Sequence, residues 1–249
     1  KGLKDDGMTV LFVEHDMHMV RHIADWVVVM AEGKVVAEGP PEFVATVPAS
    51  HTGRYLAKII DEDAVAALLP AASAALGPIG VLVNNASTFE RDEWHDATRA
   101  SWDRHMEPNL RAPFVLMQAF ARALPAQAEG VVLNLLDQRV WSLTPHFVSY
   151  TVSKAGLWTL TRTMALALAP RVRVCAIGPG PALPSARQTL DQFARQAASV
   201  PLGRGTSPEE VASAALAILS LPSFTGQMLA LDGGQHLQWG SPHPEGVAE

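Results

Sequence analysis

In the run VVLNLLDQRVWSLTPHFVSYTVSK, from Val131 to Lys154, three side chains form a set that can move a proton. Tyr150 and Lys154 are four residues apart, a spacing that puts both on one face of a helix. Asp137 lies thirteen residues before the tyrosine, in a loop after a predicted strand. A free phenol has a pKa of about 10, too high to trade protons at neutral pH, and a nearby ammonium is expected to bring it down. A carboxylate beside that phenol in a partly dry cleft is expected to have its own pKa raised. Together they could pass a proton from water to an atom made basic by reduction. The plainer reading of Asp137 is a helix or loop cap. By itself a Tyr–Lys pair at this spacing is common on helices, so its surroundings decide its weight.

The surroundings alternate. The segment TVLFVEH from Thr9 reads as a buried strand, HMVRHIAD as helical, WVVVM as a second strand and KVVAEG as a third, with Pro41 and Glu42 opening a helix. Beyond Asp61 the chain predicts a capped, Ala-rich helix (DEDAVAALLPAASAAL), then the strand VLVNNAS. A long helix or two abutting ones follow, bent near Pro108. Next come the strand GVVLNLL, a helix from about Ser149 to Leu168, the strand RVRVCAIGPG, a loop, the helix SPEEVASAALAILS and the strand QMLALDGG. Strands and helices taking turns at this spacing predict an α/β, Rossmann-like doubly wound parallel sheet. The TVLFVE and WVVVM strands are expected to extend that sheet beside VLVNN and cover its edge.

Composition narrows the partners. The chain has 249 residues, 48% of them hydrophobic, and a dispersed net charge of −6, which argues against nucleic acid or an anionic membrane. Cys175 is the single cysteine, so no intrachain disulfide can form and a reducing cytoplasmic setting is expected, with Cys175 itself inert in a buried strand. No apolar run approaches the roughly 18–20 residues of a membrane span, and no signal peptide is evident. The first residue is Lys1, which suits a piece of a longer protein.

Five signatures recur in order: VLVNNAS, Asn109 in the next helix, the Tyr150–Lys154 pair, Gly178–Gly180, and FTGQMLALDGG. Over about Asp61 to Trp239 they resemble the short-chain dehydrogenase/reductase family. The resemblance implies Tyr150 as catalytic acid, Lys154 as its tuner and ribose anchor, and Asn109 as holder of a relay water. It implies Asn84, Ala86 and Ser87 along the cofactor's adenosine side, with Pro179 and Gly180 bordering a nicotinamide. Where most members carry a serine this chain has Asp137, as in the pteridine-reductase subgroup; NNAS, LAPRVRV and LDGGQHL add to that likeness. The implied activity is NADPH-dependent reduction of a pterin or related carbonyl or imine, by a homodimer or homotetramer acting on a small molecule.

That family also carries a TGxxxGxG turn that cradles pyrophosphate on backbone N–H groups at a helix N-terminus. No three glycines before Asn84 have this spacing. Each lost hydrogen bond to charge is worth about 1.5–3 kcal/mol, so two would weaken cofactor binding about a hundredfold or more. In its place GMTVLFVEHDMHMVRHIADWVVVMAEGKVVAEGPPEFV resembles the closing part of an ABC-type ATPase domain, with His15 at the switch-histidine position. The expected division is 1–57 ATPase-like, 58–240 reductase-like, and 241–249 a mobile tail, joined near Leu56–Asp61. Alternatives to the reductase are a non-catalytic fusion or truncation product, and an ATPase fragment completed by a partner.

Other candidates remain. His15, His18 and His22 with Glu14 and Asp16 could ligate a metal, although a solvated helix face explains them and no metal is assigned. Trp141 and Phe147 beside Asp137 could stack on a flat heterocycle or pack in the loop. Trp158, Leu160 and Met164 face either the core or a second subunit.

Overall fold

The computed structural model of the chain describes the backbone of residues 10–13, 27–31 and 34–39, and residues 62–185 and 187–238, with side chains described from residue 67 onward. The histidines at 15, 18 and 22, the helix expected at Pro41, the join near 56–61 and the tail lie outside these residues.

Three strands open the described chain: β1 (Val10–Val13), β2 (Val27–Ala31) and β3 (Lys34–Gly39). Helix α1 (Glu62–Leu76) leads to β4 (Val81–Asn84), then α2 (Arg99–Met106), a π-helical turn at Glu107–Arg111 and α3 (Ala112–Ala123). Next come β5 (Gly130–Leu135), a 3-10 turn at Gln138–Val140 and α4 (Val148–Ala167). The chain continues through β6 (Val172–Pro179), α5 (Leu190–Ser199), α6 (Pro208–Leu219), β7 (Met228–Leu231) and a 3-10 turn at Gln235–Leu237.

The main sheet has the order β1-β4-β5-β6-β7 and every pairing in it is parallel. This is the Rossmann-like α/β architecture that the alternation predicts. β1 pairs with β4, Val13 opposite Asn84, as expected of the TVLFVE strand. The WVVVM strand does something else. β2 pairs antiparallel with β3 in a separate two-stranded sheet, Val27 opposite Gly39. Only Glu32 and Gly33 separate those strands, far too short a link for a parallel crossover and right for a hairpin.

Side-chain alternation explains why the sheet is covered on both faces. Leu82, Val132 and Val174 point to one side, against Leu69 of α1, Phe120 of α3 and Met164 of α4. Val81, Leu133, Cys175 and Ile177 point to the other, against Ala214 and Ile218 of α6. Each such side chain contributes about 1.5–3 kcal/mol on full burial. Met164 is buried and Leu160 and Trp158 pack against buried clusters, so this stripe of α4 belongs to the core.

Two local departures have clear causes. Pro108 has no N–H to donate, and the bend expected there appears as the π-helical turn between α2 and α3. α5 falls where the sequence reads as a loop. It is organised by a capping box: Thr189 Oγ1 accepts from Gln192 N at 3.2 Å and Gln192 Oε1 accepts from Thr189 N at 2.8 Å. No helix among the described residues is long and apolar enough to cross a membrane.

Candidate active site

The carboxyl ends of β4, β5 and β6 deliver Asn84, Asp137 and Pro179 to one edge of the sheet, the edge where open parallel sheets bind ligands. The chemistry concentrates after β5. Asp137 Oδ1 accepts from Arg139 N at 2.8 Å and so caps the 3-10 turn. Its other oxygen, Oδ2, accepts from the Tyr150 hydroxyl at 2.8 Å. Asp137 is thus a cap through one oxygen and a phenol acceptor through the other.

One turn further along α4, Lys154 lies on the same face as Tyr150, its Nζ 5.9 Å from the phenol ring centre. The ammonium donates to the Leu135 carbonyl at 2.8 Å, at the last residue of β5. Lys154 is 3% exposed and Tyr150 6%, whereas the Asp137 side chain keeps 18% of its surface and is the member of the set open to water. Burial pulls Lys154 down to about 8, with Asp137 opposing. Tyr150 moves the other way: burial first, then the charge of Asp137, push it well above its ordinary value, with Arg139 opposing. The expected lowering of the phenol by Lys154 is thus corrected. Arg139, the one lowering influence, does not offset burial, and Tyr150 stays a protonated donor at neutral pH.

The loop after β4 is irregular but fully tethered. Asn109, in the π-helical turn and 1% exposed, accepts from Thr88 N at 2.8 Å and from Ser87 Oγ at 3.1 Å. It donates to Thr88 O at 2.9 Å and to Ser153 Oγ at 3.0 Å. Asn84 donates to Asn134 Oδ1 at 2.8 Å, while its own buried Oδ1 has no partner. Ala86 and Ser87 are half-buried between them. Pro179 ends β6, and Gly180 N donates to Leu231 O at 3.0 Å. A Cβ at Gly180 would lie 2.7 Å from the Asp232 Cα, so only glycine allows these strand ends to approach.

Several residues of the site escape sequence reading. Phe89 stacks on Phe147 at 4.7 Å between ring centres and meets Tyr150 edge-on, also at 4.7 Å. The guanidiniums of Arg139 and Arg187 lie 5.3 and 5.0 Å from the Phe89 ring centre. Phe147 is fully buried in that stack, so it is not the free stacking face the sequence suggested. Trp141 is exposed and packs edge-on against Trp158 and His236. Asp92, His105 and Ser149 form a second buried polar group beside Tyr150. The sequence signal is the spacing of His105 and Asn109, four residues apart and so on one helix face. Among the described residues no group of His, Cys, Asp and Glu could hold a metal.

Comparison with known proteins identifies the family. Structures described as FolM alternative dihydrofolate reductase 1 from Brucella canis, complexed with NADP, and from Brucella suis are each 49% identical to this chain, with TM-scores of 0.70. The first covers 73% of this chain and 72% of its own. The 3-oxoacyl-[acyl-carrier-protein] reductase of Thermotoga maritima is 32% identical over 185 residues, 72% of this chain and 75% of the relative. A Xanthobacter autotrophicus protein named inactive 2-(S)-hydroxypropyl-CoM dehydrogenase 2 is 32% identical over 189 residues, 72% of this chain and 82% of the relative. The family model described as enoyl-(acyl carrier protein) reductase matches residues 24–236. The chain belongs to that family, among the short-chain dehydrogenase/reductases.

Proposed function

We propose that this chain is an NADPH-dependent reductase of a pterin or a closely related cyclic imine. The observation that carries the reading is the Tyr150 hydroxyl held 2.8 Å from Asp137 Oδ2, one helical turn from Lys154. Likeness to the NADP-complexed FolM structure, at 49% identity, supports the choice of cofactor and substrate class. The half-exposed Phe89 ring beside Tyr150 and the guanidiniums of Arg139 and Arg187 suit a flat, electron-rich heterocycle.

The residues present fit the cofactor in one testable respect. Asn84 Oδ1 is a buried acceptor without a partner at the carboxyl end of β4, and a ribose or adenine donor would satisfy it. Asn84, Ala86 and Ser87 would hold the adenosine side, Tyr150 and Lys154 the nicotinamide ribose, and Pro179 and Gly180 its ring. The bound nicotinamide supplies the reducing equivalent. Tyr150, protonated at neutral pH, gives its proton to the substrate nitrogen, and Asp137 takes a replacement from water through its exposed surface. Lys154 stays charged near neutral pH and offsets the negative charge left on the phenol–carboxylate pair. Asn109 keeps the 87–88 loop in place through a side-chain amide whose positions are all filled, so the relay water it is proposed to anchor would rest on its backbone carbonyl.

In the same reading residues 1–57 are an ATPase-derived segment and 58–240 the reductase body, acting as a homodimer or homotetramer. The deciding experiment is NADPH titration followed by turnover with 7,8-dihydrofolate, an unconjugated dihydropterin and an acyl-thioester control. Saturable NADPH binding with turnover of the pteridines supports the proposal. Failure to bind NADPH at millimolar concentration overturns it in favour of a non-catalytic fold. ATP binding abolished by His15→Ala would instead assign function to the first segment.

A further inference from the structure

Two rungs join α2 and its π-helical turn to α4. In one, Asn109 donates to Ser153 Oγ at 3.0 Å; in the other, His105 Nδ1 lies 2.6 Å from Ser149 Oγ. Both rungs also hold the loop that follows β4. Asn109 accepts from Thr88 N at 2.8 Å and His105 Nε2 accepts from Glu90 N at 3.0 Å. Phe89, the residue stacked edge-on against Tyr150, sits between those two anchor points. The loop then closes on the start of α4. Asp92 O accepts from Val148 N at 3.3 Å, and the Asp92 carboxylate accepts from Ser149 N at 3.1 Å and from Ser149 Oγ. A carboxylate on the free N–H groups of a helix N-terminus is a favourable charge arrangement.

The protonation state follows from donor counting. A backbone N–H can only donate, so His105 Nε2 carries a lone pair. Ser149 gives its hydroxyl proton to Asp92 and therefore accepts from Nδ1–H, which also has Ser101 O at 3.1 Å. The imidazole is neutral, as the Nδ1–H tautomer. A second proton on Nε2 would set two donors against each other at Glu90. The groups that face the ring are Asp92 and Glu90 from the loop, Arg104 from its own helix, and Ser149 and the Tyr150 ring, 6.0 Å away, from α4. Burial, the largest influence, holds His105 below the ordinary histidine range against the pull of both carboxylates.

We propose that His105 is a positioning residue: as the neutral Nδ1–H tautomer it latches the 87–92 loop to α4, so that Phe89 and Tyr150 form one binding face, and acid releases the latch. The sign is fixed by linkage. The native imidazole binds a proton less readily than the unfolded one, so the latch is complete above about pH 6.5 and weakens as pH falls toward the native value. The latch itself does not depend on the reductase reading; only its kinetic consequence does.

Nitrogen NMR of the whole chain tests the tautomer directly, and amide exchange at Glu90 tests the latch, with Thr88 as an internal control held by Asn109. At neutral pH Nε2 should be bare and the Glu90 amide protected. On acidification Glu90 should lose about tenfold more protection than Thr88, after correction for intrinsic exchange. His105→Gln can accept from Glu90 N without titrating and should keep Glu90 protected through that range, whereas His105→Ala should lose protection at every pH. In NADPH-linked turnover of dihydrofolate, His105→Ala should raise KM about tenfold with a smaller change in kcat, and His105→Gln should abolish the acid limb caused by the latch. An Nε2–H or doubly protonated ring at neutral pH, an unprotected Glu90 amide, or a wild-type acid limb in His105→Gln overturns the proposal. If no pteridine is turned over, the reductase reading fails while the Glu90 measurements still decide the latch.

Discussion

Two cations sit on backbone carbonyls at different ends of this molecule. Arg173 on β6 donates to Phe224 O at 2.8 Å, Leu219 O at 3.1 Å and Ile218 O at 3.3 Å, the last two at the end of α6. Lys154 on α4 donates to Leu135 O at 2.8 Å. The bonding device is similar and the consequences differ. A guanidinium never loses its proton in the ordinary range, and next to the carbonyl end of a helix it is a fixed structural charge. Lys154 is more deeply buried, its pKa is pulled down to about 8, and an acid and a phenol share its face of the site. A buried cation becomes chemical when it can titrate and when its neighbours can trade protons. Arg173 meets neither condition.

Changes on the Lys154 side should therefore strike turnover, and changes on the Arg173 side should strike stability. The largest effect is expected from Tyr150→Phe, which removes the proton donor and should lower kcat/KM by about a thousandfold in a reductase assay, with an unchanged thermal midpoint. Retention of turnover within tenfold would erase the distinction between the two ends. Asp137→Asn keeps the shape and the cap but removes the charge that accepts from Tyr150. A loss of about a hundredfold in kcat/KM is expected, and normal activity would reduce Asp137 to a cap.

Stability sharpens the contrast further. Arg173→Ala removes the bonds to three carbonyls, of which Phe224 O keeps Cys175 Sγ and Ile218 O keeps Leu221 N as donors, and should cost about 2 kcal/mol in urea unfolding while leaving KM for NADPH unchanged. Lys154→Met removes a buried charge. The native ammonium holds its proton less firmly than the unfolded one, so between about pH 8 and pH 10 the unfolded state binds more protons. Wild-type stability relative to Lys154→Met should rise with pH across that window; a flat difference would mean Lys154 is better hydrated than its burial suggests. The smallest effect concerns Cys175, on the same strand as Arg173. Burial raises its thiol to about 11, so an aromatic disulfide reagent should not react with the native chain at pH 8 but should react after unfolding.

How much of this was readable in advance differs by residue. The i, i+4 pair Tyr150–Lys154 and the strand-end position of Asp137 follow from local periodicity, which survives into the fold because a helix of 20 residues and a six-residue strand have little freedom in which face they present. The expected place of the WVVVM strand in the main sheet fails because hydrophobicity marks a strand without choosing its neighbour; the two-residue link to β3 made that choice. The direction of the Tyr150 shift was misjudged because adjacency to a cation can be read from spacing, while desolvation depends on everything packed around the ring. α5 escapes the sequence reading because its signal is a cap rather than an apolar stripe continuous with the core: Thr189 just before it and Gln192, its third residue, carry it, and none of its residues is buried.

The amino-acid order alone determined the alternation of strands and helices, the family likeness and the placement of a phenol above an ammonium, since each depends on residues near one another in the chain. Tertiary structure alone decided that Phe89 would rest on Phe147, that His105 would join Glu90, 15 residues before it, to Ser149, 44 residues after it, and that Arg173 would seek the end of α6. Those contacts join segments whose local patterns are independent. Only the burial of a shared core brings them within hydrogen-bond reach, and only that burial sets what each charge costs.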